Sequence, residues 1–337
     1  MQDRNRWQWK PVLGSLAVLV LTLGLGTVLT AQDPQPEKRE GTYYDNFGRG
    51  QGHGHGHGHG HGHGHGHGHG HGAPPPPRKP VDVDAAPRIA WTNAEGGSWS
   101  DASNWSGGAV PGENDHAIID LPGSYRVVVD GDTRLAAITL GAESGTQTVV
   151  IPRDALAVGG LATIGSHGVV ELAGGRFTGD ADLIVHGALE WSGGAMSGRG
   201  KARIATDGRL TLLGDERKVL SLRDIENAGT MAWSGAGNLV VTFAAQIVNQ
   251  EGASFEISTG ALLDVYGSPD SAVHNAGTLR VLSGLTPTFE TPLVNTGTLD
   301  LEAGGLHLLE SYSGEGEVLG REKLELGAPK AEEVAED

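Results

Sequence analysis

Cysteine is absent from all 337 residues. Disulfides, thiolate-bound zinc, iron–sulfur clusters and lipobox acylation are thereby excluded. Aromatic residues make up only 5% of the chain: seven Trp, five Tyr and five Phe. Positive charge is scarce too, with 24 Lys and Arg against 41 Asp and Glu, a formal net charge of −17. A nucleic-acid interface needs a basic face, so no such partner is expected. The deficit is local. Residues 89–326 hold 30 acidic and 14 basic side chains, a net of −16, whereas residues 32–88 hold six of each. Reaction motifs are missing as well. A nucleophile elbow, a phosphate-binding loop, a zincin helix and the Ca²⁺-binding glycine-rich nonapeptide have no match. No catalytic residue and no enzymatic activity are expected.

The one long apolar run extends from Val12 to Leu29, behind Arg4, Arg6 and Lys10. A basic start followed by such a run reads as a secretion signal, with cleavage after Ala31. Leu29 is bulky for that cleavage site, and Trp7 and Trp9 suit a membrane interface, so an uncleaved anchor is the other reading of residues 1–31. Both readings place the rest of the chain outside the cytoplasm, in the periplasm, at the cell surface or secreted. Membrane contact is expected only through this segment.

Residues 32–88 have no hydrophobic periodicity and are expected to be a disordered linker, because they cannot bury enough apolar surface to offset ordering entropy. Pro74 to Pro77, Pro80 and Pro87 stiffen its end. Within it, residues 53–72 are ten His-Gly units: His53, His55, His57, His59, His61, His63, His65, His67, His69 and His71. Neutral imidazole is a ligand for Ni²⁺, Zn²⁺ and Cu²⁺. In an extended chain alternate side chains lie roughly 6.6 Å apart on one face. Several imidazoles reach one ion only if the backbone folds around it, and glycine permits that. Interchangeable sites of moderate affinity follow, with divalent transition metal as the expected cofactor. A neutral spacer and a pH-responsive element are the competing readings of the same tract.

The remaining sequence is rich in glycine, which totals 55 residues, and patterned for strands. A glycine followed by a short alternating strand recurs at Gly168, Gly187, Gly208, Gly229, Gly252, Gly277 and Gly297. A period near twenty residues with no helix between strands means a β-solenoid. Equivalent strands of successive turns would pair in parallel at about 4.8 Å. Asn227, Asn249, Asn275 and Asn295 recur just before the corner and read as a stacked ladder. Gly174-Gly175 and Gly193-Gly194 mark a second corner. Leu279 with Val281, and Leu299 with Leu301, are the expected core face. The fold class is therefore all-β, a right-handed parallel β-helix behind a His-Gly and Pro-rich linker. Residues 89–140 form a Trp-rich entry or cap, 141–326 the repeats and 327–337 an acidic tail.

The entry segment carries one further pattern: Trp91, Trp99, Asn104, Trp105, Gly107, Gly108, Val110, Pro111 and Asp115, closing on Ile118 and Ile119. Residues 91–119 resemble the opening segment of secreted bacterial surface-repeat proteins of the β-helix type. The resemblance implies an architecture and no activity. Its tryptophans read as a hydrophobic cap over the open end of the solenoid, with carbohydrate stacking as the alternative. β-Helices also host pectin lyases and polygalacturonases, but the polygalacturonase signatures do not occur as a set. Asn295-Thr296-Gly297 lacks the acid and Arg203-Ile204-Ala205 lacks the lysine. Arg176, Arg199, Lys201, Arg203, Arg217 and Lys218 form the densest basic group and read as solvated surface. His167 and His186, which precede equivalent glycines, read as ordinary corner residues. Asp130, Asp132, Asp180 and Asp182 make only a weak Ca²⁺ case. The expected function is metal binding by a non-enzymatic solenoid. A structural or adhesive surface protein is the alternative, with cell-surface or polysaccharide contacts as further partners, and a polysaccharide-active enzyme is the more distant one.

Overall fold

The computed structural model describes residues 82–267, 270–282 and 284–327. They form an all-β solenoid of parallel strands stacked in three ladders. The first ladder runs from Arg88–Ala90 through Ile225–Asn227 to Tyr312–Ser313. The second runs from Gly97–Ser98 through Thr230–Trp233 to Glu317–Leu319. The third starts at Thr133 and ends on Leu324–Leu326. From Ala117 onward a turn takes between 18 residues, Leu306 to Leu324, and 26 residues, Ile247 to Val273.

Alternation builds each strand. In Thr278–Val281, Leu279 and Val281 are fully buried while Arg280 is exposed. The same inward position holds Phe255 one turn before and Leu299 one turn after. Stacking like on like gives one continuous core from Trp91 to Leu308. Parallel ladders of this kind leave no room at the first-to-second corner. A Cβ on Gly297 would strike the carbonyl of Gly277, so that corner is a column of glycines. One expected member is displaced. Ala253, not Gly252, stacks between Gly229 and Gly277, because the pairing of Ser254 with Thr230 and Thr278 places it there. Gly252 instead sits one residue earlier at φ +80°, in a turn that requires glycine.

The second corner also differs in kind from a simple turn. Gly168–Thr178 and Ala188–Ser197 are continuous strands that bend across it and pair in both the second and the third ladder. The bend is a register shift at Gly193, followed by Gly194 at φ +80°. Such bulges turn a strand without ending it.

Asn227, Asn249, Asn275 and Asn295 form the expected ladder. Each Nδ2 donates to the next Oδ1, at 2.8, 2.7 and 2.7 Å. Each second N–H goes to a backbone carbonyl, of Ser254, Thr278 and Thr298 in turn. The preceding turns hold Ile204, Val185, Ile164, Leu140 and Ile119 at this position. An Asn249→Ala change should cost about 2–3 kcal/mol, because it leaves buried amide and carbonyl groups without partners. Urea denaturation reads the cost, and an unchanged midpoint would mean that the amide column adds nothing to stability. At the far end the last three strands pair on one side only among the described residues. Glu317 and Glu325 stand exposed on those edges, where charge opposes further strand addition.

Candidate functional site

The ten tract histidines, His53 to His71, lie outside the described residues. Among the described residues no group of three His, Asp or Glu is arranged to hold a metal ion. Of the other five histidines, three make a side-chain hydrogen bond among the described residues. His116 is buried, and its Nε2 meets Thr139 Oγ1 at 2.9 Å. Burial lowers its pKa, with Arg88 adding to the effect. His186 Nδ1 pairs with Asp207 at 2.9 Å on the next turn. His274 Nε2 meets Gln246 Oε1 at 3.1 Å. His167 keeps a buried Nδ1 without a partner.

The Trp-rich entry is built locally. Asp101 caps the short 3-10 turn Ala102–Asn104 by accepting from the Ser103 N–H at 2.9 Å. Gly107 and Gly108, both left-handed, then reverse the chain toward Val110. The turns bring Trp105 between Trp91 and Trp99, with ring centroids 5.0 and 4.7 Å apart. Trp91 stacks on Tyr125 of the next turn. All three tryptophans are at most 2% exposed, so none presents a ring face for stacking on a sugar. Trp91 Nε1 donates to the Asn93 carbonyl and Trp105 Nε1 to that of Trp99.

The acidic pairs singled out in the sequence are engaged with protein groups. Asp130 accepts from the hydroxyls of Ser98 and Ser100 and from the Ser100 N–H. Asp132 accepts from the Ala155 N–H at 2.9 Å. Asp182 accepts from the Lys201 N–H and from Arg203 Nε, at 2.8 and 3.0 Å. Burial alone would raise the Asp182 pKa, yet these bonds and the Arg203 and Arg223 charges outweigh it and hold the carboxyl below its usual range. Its contribution to stability is therefore present above the unfolded value, near 3.9, and is lost as the pH falls through the folded one. Glu226 closes the network by accepting from both Lys201 and Arg203.

One basic side chain departs from the solvated surface expected of it, and a second is buried with no expectation attached to it. Lys218 occupies an inward position, in register with Leu239, and is fully buried. Its Nζ donates to the carbonyls of Glu216 and Gly214, at 3.0 and 3.5 Å. Gly194, opposite it one turn earlier, leaves the space. Burial lowers its pKa, against the pull of Asp215 and Glu216. Arg223 was not foreseen at all. It too is fully buried, with its guanidinium 5.3 Å above the Phe177 ring. It donates to carbonyls of Gly179, Ala181, Ser197 and Lys201. Desolvation pulls its pKa down to about 10, opposed by Asp182 and Asp180, and it remains charged at neutral pH. These cations hold corners together and touch no open site. No family model, curated protein or solved structure matches the chain.

Proposed function

We propose that the chain is a non-enzymatic, extracytoplasmic β-solenoid that captures divalent transition metal, Ni²⁺, Zn²⁺ or Cu²⁺, through its His-Gly tract. The observation that carries the reading is the unbroken alternation of ten histidines with glycine, the densest run of metal-ligating side chains in the chain. The proline-rich stretch between His71 and Arg88 would act as a stiff spacer between tract and solenoid. The basic start and apolar run before Ala31, together with the resemblance of residues 91–119 to secreted surface-repeat proteins, support the extracytoplasmic placement. The winding is taken as right-handed, the hand of about 98% of parallel strand crossovers.

The tract should bind roughly two to four ions per chain, at three or four imidazoles per ion, with Cu²⁺ tightest. Affinity should fall as the pH drops through about 6.5, because a protonated imidazole has no lone pair to offer. Calorimetry on the full chain and on a deletion of Gly52–Gly72 tests this. A deletion that bound as many ions with equal affinity would make the tract a spacer and move the sites to the acidic solenoid. That outcome would favour the structural or adhesive reading.

A further inference from the structure

A groove of about 350 Å³ opens beside the tryptophan cap, between residues 99–113 and the 130–134 corner. It is the kind of concave surface that takes a small ligand, at the lower end of the usual range of about 300–1,000 Å³. Val110 and Pro111 give it an apolar wall. Glu113, Asp130 and Asp132 line it with carboxylates, and Arg134 is its one cation. This excess of negative charge disfavours an anionic ligand. A metal ion is disfavoured as well, because Asp130 is engaged by Ser98 and Ser100, and one oxygen of Asp132 by the Ala155 N–H.

Two donor side chains line the groove without a hydrogen-bond partner among the described residues. The Arg134 side chain is exposed and makes no hydrogen bond or ion pair with another described residue, although its guanidinium carries five N–H groups. Trp99 is 1% exposed, and its Nε1–H has no acceptor, unlike those of Trp91 and Trp105. The Trp99 N–H is enclosed in the groove wall, so it reports on the groove without itself contacting a ligand. The exposed Arg134 guanidinium beside the Asp132 carboxylate matches adjacent hydroxyl groups, each of which both donates and accepts. A sugar ring adds an apolar C–H face that suits the Val110–Pro111 wall.

We infer that this groove is a binding site for an uncharged saccharide. Arg134 would donate to one hydroxyl and Asp132 accept from its neighbour, with the ring edge against Val110 and Pro111. The site is independent of the histidine tract, and deleting Gly52–Gly72 should leave it intact.

The test follows the seven tryptophan indole N–H resonances of the ¹⁵N-labelled full chain, with Trp99 assigned by Trp99→Phe. The probes are glucose, galactose, N-acetylglucosamine, maltose and cellobiose, with glucuronate and calcium chloride as charged counterparts. At least one neutral sugar should shift the Trp99 resonance saturably and more strongly than glucuronate. Arg134→Ala and Asp132→Asn should each weaken that binding about tenfold, the effect of one charge-assisted hydrogen bond. Both residues are exposed, and an unchanged circular dichroism spectrum would show that the fold persists. The inference is overturned if no neutral sugar shifts the resonance, if both variants bind as the parent does, or if calcium alone produces the shift.

Discussion

Arg223→Ala should destabilise the solenoid by roughly 3–5 kcal/mol, the range for stripping a partner from a buried charged network. The side chain is the shared partner of carbonyls on two successive turns, Gly179 and Ala181 above and Ser197 and Lys201 below. Removing it strands these acceptors in the interior, where each unmet group costs about 1–3 kcal/mol before relaxation. It also removes the contact over Phe177 and leaves a cavity beneath that ring. Arg223→Lys should recover only part of the loss, because an ammonium is a point charge and cannot span acceptors that a planar fork reaches. Thermal unfolding followed by circular dichroism measures both variants. An alanine variant that melts with the parent would show that water or neighbouring groups satisfy the carbonyls and that the clamp is dispensable.

Leu279→Asp should be as severe or worse, at or beyond about 4 kcal/mol, and is expected to prevent folding at neutral pH. Leu279 is wholly buried between Phe255 and Leu299 on the adjacent turns, and neither offers a hydrogen bond. An unpaired carboxylate there would have its pKa raised by desolvation. The penalty is thus full at neutral pH and shrinks as the pH falls toward the folded value, where the neutral acid can be buried. Melting temperatures across that range give the sign. A variant with the parent's melting temperature at pH 7 would place Leu279 outside the core.

The two predictions differ in how much of them could be read before the fold was known. Leu279 belongs to an alternation that is local, and period two assigns its face whatever the strand pairs with. Asn227, Asn249, Asn275 and Asn295 were legible for a related reason: the same residue type returns at the same place in the repeat, and equivalent positions of a solenoid touch. The tryptophan cluster was visible because its members lie within one short segment. The displaced fifth mark shows the limit. Gly252 and Ala253 are neighbours, and only the pairing of Ser254 on both sides decides which of them enters the stack.

By itself the sequence determined the all-β class, the period, the inward residues, the amide ladder and the histidine tract, because each is written in residue type and spacing along the chain. The tertiary structure alone decided the rest. The Gly193-Gly194 pair marked a corner, but only the pairing shows that Ala188–Ser197 crosses it unbroken through a bulge. The groove beside Trp99 joins residues 99–113 to a corner of the next turn, and its lining looks in sequence like two ordinary polar loops. Lys218 read as solvated surface, and Arg223 carried no reading of its own. Their burial depends on carbonyl groups that every residue carries alike, and a cage made of backbone leaves no mark on the sequence that builds it.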